Sequence, residues 1–285
     1  MFQLFTIIPN FFYVVDFLYL KVLRFSPDGT HLATYGTGVG EGPGEFMSIS
    51  DIGVISDSVV YVNDPNSGKV GYFSMGGSFI GTELLSRQFG QYGARGAIRH
   101  SVTSQDRKYT MHQAGEALFE SKMGEEVVEF GPPLGGKNVM ASGIVIGMMT
   151  TWREQLVYVP TNFPVIVQYN PDGTLAFARA TPDFEQFEAP SLERDAALGV
   201  TFITGGRVHG TVSVFSDKIF VRVTHESKPC IDVYDAQSGY YEFSFETPSG
   251  SPAYVMNDRY YEVQDTTVAV WAIDGLTELL AQATL

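Results

Sequence analysis

A chain of 285 residues with 44% hydrophobic content can bury a large core, and 30 glycines, 15 tyrosines and 21 phenylalanines against 18% charged residues favour short strands and tight turns over long helices. A formal charge of −14 would repel a polyanionic backbone, which excludes a role resting on phosphate contacts and removes nucleic acid as a partner. The single cysteine, Cys230, cannot close an internal bridge, so disulfides neither hold the fold nor report its compartment.

Residues 1–20 are strongly apolar. No Lys or Arg precedes the run, Pro9 and Asp16 interrupt it and no small-residue cleavage site follows, so it reads as strand rather than as a leader or a membrane span. It also opens a repeat, whose clearest part is a strand pair closed by a glycine turn. The first copies are Tyr13-Val14-Val15-Asp16 with Arg24-Phe25-Ser26-Pro27-Asp28-Gly29, and Tyr61-Val62-Asn63-Asp64 with Tyr72-Phe73-Ser74-Met75-Gly76-Gly77. A third runs from Tyr109 through Phe119 to Gly124, and a fourth from Tyr158 through Tyr169-Asn170-Pro171-Asp172-Gly173. The fifth, Phe220 to Gly239, and the sixth, Tyr261 to Gly275, are looser.

The aromatic anchors Phe25, Phe73, Phe119, Tyr169, Tyr234 and Trp271 give steps of 48, 46, 50, 65 and 37, near the length of one propeller blade. Further apolar runs precede each pair, as at 49–55 and 144–150, and follow each glycine turn, as at 31–35 and 174–180. The links between first and second strands are short, as in Ser56-Asp57 and Ser216-Asp217. Four strands in each of six units predict an all-β chain folded as one six-bladed β-propeller of four-stranded antiparallel blades. The blades are expected at about 1–36, 49–86, 97–131, 143–181, 208–246 and 251–285, with a loop insertion at 182–207.

The run Gly36-Thr37-Gly38-Val39-Gly40-Glu41-Gly42-Pro43-Gly44-Glu45-Phe46 fits no dinucleotide spacing, and its two glutamates would repel phosphate, so it reads as an inter-blade connection. Together with Phe25-Ser26-Pro27-Asp28-Gly29 and Tyr35-Gly36, it resembles the signature of NHL-type six-bladed propellers, a group with many bacterial extracytoplasmic members of unassigned activity. The first two units resemble it closely and the fourth through its turn, while the third, fifth and sixth depart from it. The resemblance implies a propeller that binds proteins or other ligands outside the cytoplasm. Related families include a peptide-amidating lyase and lactonases, which place metal ligands around the central channel.

In such a fold the long fourth-to-first connections gather on one face with the second-to-third turns, here at about 36–48, 86–97, 131–142 and 181–207. The longest contains Phe184, Glu185, Phe187 and Glu188, then a predicted short helix capped by Ser191 and ended at Gly199. Phe184 and Phe187 are candidates for ligand contact, with pinning of the insertion to the rim as the alternative. Of the histidines, His31, His100, His112, His209 and His225, only His100 and His209 fall on innermost strands, with Arg99 and Arg207 beside them. Two readings follow. One is a non-enzymatic, monomeric scaffold that takes a protein, peptide or glycan on its loop-rich face and channel mouth. The other is a metal-dependent lyase or hydrolase with a single channel ion held by His100, His209 and Asp51. Cys230 has no nucleophile motif around it and reads as a small apolar residue. Asp16, Asp64 and Asp265 lack calcium-loop spacing and are expected to accept hydrogen bonds from the next turn.

Overall fold

The computed structural model describes residues 2–8, 11–55, 58–85, 97–112, 117–131, 146–182, 191–195, 200–204, 209–225, 228–248, 253–256, 259–264 and 267–273. Five sheets each run as an antiparallel meander of four strands. Their first strands are Phe2–Ile8, Asp51–Ile55, Ala97–Val102, Gly147–Trp152 and His209–Phe215, and their second strands are Phe11–Asp16, Val59–Asp64, Lys108–His112, Gln155–Pro160 and Lys218–His225. The sixth sheet shows three strands among the described residues, Ala253–Met256, Arg259–Gln264 and Thr267–Ala272. Each first strand touches the first strand of the next sheet, and Ala253–Met256 returns to Phe2–Ile8, which closes the ring. The molecule is a six-bladed β-propeller, as the repeat predicts.

The second strands show why the ring forms. Their side chains alternate between two neighbouring blades, and both faces are buried, so they read as continuous apolar runs. Tyr13 and Val15 pack with Val60, Val62 and Phe73 of the second blade, while Phe12 and Val14 pack with Tyr261 of the sixth. Leu156 and Tyr158 join Tyr109, Met111 and Phe119 of the third blade, whereas Val157 and Val159 join Ile219, Val221 and Tyr234 of the fifth. Phe220 and Val233 meet Val255 and Tyr260. Each cluster is thus one seam between blades.

The registers correct one anchor. Phe25, Phe73, Tyr169, Tyr234 and Trp271 each pair with the second residue of their neighbouring strand, and in the third blade that place belongs to Ser121, opposite Tyr109. Phe25, Phe73, Ser121 and Tyr169 then stand 48 residues apart, a stricter period than the aromatics alone give. Phe119, two residues earlier on the same face, supplies the ring instead, with its centroid 4.9 Å from that of Tyr158. A second correction concerns the insertion, where Ser191–Asp195 pairs antiparallel with Val200–Thr204 in place of the expected helix. The β-branched and aromatic residues of Val200-Thr201-Phe202-Ile203-Thr204 favour a strand over the helix that the Ser191 cap suggested.

Turns at the short-loop face tie blades together. The Tyr35 hydroxyl donates to the Met75 carbonyl at 3.0 Å, that of Tyr109 to the Glu154 carbonyl at 2.6 Å, and the Trp152 indole to Asp217 at 2.8 Å. Gly239 combines a φ of +73° with close approach, because a Cβ there would lie 2.3 Å from the Phe177 ring of the preceding blade. Gly29 has a φ of +86° with open space around it. Replacing each with Ala therefore separates the two costs: Gly29→Ala is expected to lose about 1 kcal/mol from backbone strain, and Gly239→Ala roughly 1–3 kcal/mol more from the displaced ring. Urea-unfolding midpoints check this, and equal losses would refute the steric part.

Candidate functional site

The first strands surround the axis and border an open-mouthed cavity of about 230 Å³, lined by residues 50–54, 99–102, 148–151, 212–214 and 254–255 of blades two to six together with Tyr61. Its charged groups belong to blades two and three. Asp51 and Arg99 face each other across this seam, the Nη1 group of Arg99 donating to the Ser50 carbonyl at 2.8 Å and to Asp51 Oδ1 at 3.3 Å. Asp51 Oδ2 accepts from the Ser50 hydroxyl at 2.7 Å, the His100 amide at 3.2 Å and the Asn63 side chain at 3.4 Å. The carboxylate is therefore held by groups from both blades.

His100 is 2% exposed. Its Nδ1 meets the Thr110 hydroxyl at 3.1 Å, its ring stands edge-on to Tyr61 with centroids 5.4 Å apart, and its buried Nε2 has no hydrogen-bond partner among the described residues. Burial lowers its pKa to about 4, with Glu83 opposing and Lys108 assisting, so the imidazole is neutral at physiological pH. The Tyr61 ring lies over Gly53, where a Cβ would come within 2.4 Å of it. Burial also raises the hydroxyl pKa of Tyr61 and of Tyr254, the latter on the sixth-blade wall.

Other candidates lie apart. His209 turns its Nδ1 onto the Pro160 carbonyl at 2.8 Å and is not part of the cavity wall. Among the described residues no group of three His, Cys, Asp or Glu side chains is gathered as a metal site would gather them. Arg207, Phe184 and Phe187 lie outside the described residues, as do Asp265 and the side chain of His225. His31 is exposed on an outer strand, His112 stands 3.8 Å from Glu120, and Cys230 is buried in the apolar seam between blades four and five. Asp16 accepts from the amides of Leu18 and Tyr19 in its own turn. Asp64 accepts from Ser67 in its turn and from Met47 and Ser48 in the inter-blade connection. That connection is bonded to itself: Gly38–Val39 pairs with Glu45–Phe46, and Glu45 occupies the Gly42 amide at 2.8 Å where an anion would have to sit. Sequence reasoning missed Thr110, Tyr61 and Asn63. The signal was the second strand Lys108-Tyr109-Thr110-Met111-His112, which alternates polar and apolar where blades one, two and four carry runs of three or more apolar residues.

No family profile and no curated protein matches the chain. Solved structures do match in fold. A candidate exported protein of Bacteroides fragilis aligns at 15% identity and a TM-score of 0.61, covering 98% of this chain and 85% of its own. A streptogramin B lyase aligns at 10% identity and 0.57, covering 95% and 82%, and a functionally unknown protein of Desulfotomaculum acetoxidans at 12% and 0.56 with the same coverage. At these identities the likeness shows the propeller alone. No helix among the described residues is long and apolar enough to cross a membrane.

The buried His100 makes stability depend on pH. Its folded pKa lies below the unfolded value near 6.5, so the unfolded chain takes up the proton first. The contribution is complete above pH 6.5 and is lost as pH falls towards about 4, by an amount on the order of 3 kcal/mol. Chemical denaturation across this window is expected to show stability rising with pH, and His100→Gln to flatten the slope; an unchanged slope in the variant would exclude this origin.

Proposed function

We propose that this chain is a non-enzymatic binding propeller that engages a protein, peptide or glycan through its loop-rich face and channel mouth. The observation that carries this reading is the apolar surface of that face on the first two blades. Leu18 and Tyr19 in a second-to-third turn are 69% and 59% exposed, and Val39 and Met47 in the adjoining connection are 61% and 42% exposed. Both segments are anchored below by Phe17, Leu20 and Phe46 in one core cluster, so the exposed residues stand on a fixed base. The channel polar groups support the same reading, because Asp51 is spent on Arg99 and on three further donors rather than presented beside a nucleophile. A setting outside the cytoplasm rests on the resemblance to extracytoplasmic NHL-type propellers, with the Bacteroides fragilis structure in accord.

The competing reading, a metal-dependent lyase or hydrolase, draws on the His100 Nε2, which no described residue partners, and on the fold shared with a lyase. Elemental analysis of the purified chain separates the two. The binding reading expects no stoichiometric ion; an ion lost on His100→Ala would establish the other. Peptide and glycan arrays probe the face directly, where Leu18→Asp with Val39→Asp is expected to abolish capture at unchanged melting temperature. Capture that survives the pair of substitutions places the contact elsewhere and overturns the proposed surface.

A further inference from the structure

The charged residues of the axial cavity lie on one side. Blades two and three contribute Asp51 and Arg99 with His100, whereas blades four to six contribute uncharged side chains, apolar at Met148, Val212 and Val214 and hydroxyl-bearing at Thr150, Thr151 and Ser213. The ionised groups among the described wall residues are one carboxylate and one guanidinium, already paired at 3.3 Å. A cationic guest would compete with Arg99 for Asp51, and an anionic guest with Asp51 for Arg99. Either would leave a charge without its partner in a confined space. An uncharged guest leaves the pair intact.

His100 supplies the second constraint. It lines the cavity; its Nδ1 is used by Thr110, while its buried Nε2 is not used by any described residue. Whichever tautomer the ring holds, one hydrogen-bonding position is left, and a hydroxyl fills it in both cases because it donates and accepts. Size is the third. A cavity of about 150 Å³ accommodates benzene, so 230 Å³ suits one ring with a short polar substituent. Resting on the reading of the chain as a binding propeller, we infer that the channel is a site for a small uncharged molecule with an apolar, single-ring-sized frame and a hydroxyl. The hydroxyl sits at His100 Nε2, and the frame lies against Met148, Met149 and Tyr254. The adaptable methionine side chains accommodate frames of differing outline.

Benzyl alcohol, toluene and benzoate test this on the full chain by ligand-observed NMR titration. Benzyl alcohol is expected to bind saturably and about tenfold more tightly than toluene, the worth of one hydrogen bond to a buried group, while benzoate does not bind. In His100→Phe the alcohol is expected to fall to the level of toluene. Thr150→Phe, which fills the cavity from the fourth blade, is expected to abolish both. No saturable binding of benzyl alcohol to the native chain, parity with toluene, or equal binding of benzoate would each overturn the site. Failure of these probes with an ion-free protein removes the channel site alone, whereas a stoichiometric metal removes the binding-propeller reading whatever the probes do.

Discussion

Burial of each blade on both faces is the constraint from which the rest of this molecule follows. A single antiparallel meander would leave two apolar faces in water, and its second strand, with Tyr13 and Val15 on one side and Phe12 and Val14 on the other, has no polar face to offer. Each such side chain contributes about 1.5–3 kcal/mol when fully buried, but only if sheets stand on both sides. The requirement is met at every blade only when the last seam joins the first, as Tyr261 does with Phe12 and Val14. Closure therefore belongs to the energetics of every blade, and the first strands are held around the axis as its geometric result.

The seam between the second and third blades adds a polar run to its apolar contacts. Towards the fourth blade the third presents Tyr109 and Met111, but towards the second it presents Lys108 and Thr110. There Lys108 and Lys122 meet Glu83 at 2.5 and 3.3 Å, and the Tyr72 hydroxyl donates to the same carboxylate at 2.6 Å. Burial alone would raise the Glu83 pKa, yet the hydrogen bonds from Lys108 and Tyr72 and the charge of Lys108 outweigh it and hold the carboxyl at about 2. Farther in, the same seam carries Thr110, His100, Asp51 and Arg99. Polar groups between sheets contribute less than an apolar seam of equal area would. Their persistence from the outer strand to the channel marks this seam as the place where the fold gives up packing for a polar site.

Much of the architecture was legible because it is local. Glycine turns, double-faced apolar runs and short hairpin links each depend on residues close in sequence, and together they predict the blades. Two errors came from signals read without their register. Phe119 was aligned by its aromaticity, although Ser121 holds the equivalent position and the alternation of the strand merely moves the ring along one face. Ser191 looked like a helix cap, although the run from Val200 to Thr204 gave it a strand partner. The site was legible in part. Asp51, Arg99 and His100 could be placed on first strands, but the Asp51 bond to the His100 amide spans 49 residues and exists only because the ring sets those strands side by side.

The ion pair itself follows from that periodicity. Asp51 and Arg99 lie opposite Asn63 and Met111, and both members of each couple differ by 48 residues, so the pair joins the same position of adjacent blades. Opposite charges there attract across the seam, and like charges would repel. Substitution at such positions changes the channel lining while leaving the apolar seams of the second strands untouched. The freedom has a limit at Gly53, whose missing side chain gives room to the Tyr61 ring and so to the His100 edge it supports. First-strand positions that face the axis can therefore vary with the guest, whereas those beneath the second-strand aromatics answer to packing, and the channel chemistry of this propeller is set by which of its few axial residues are of the first kind.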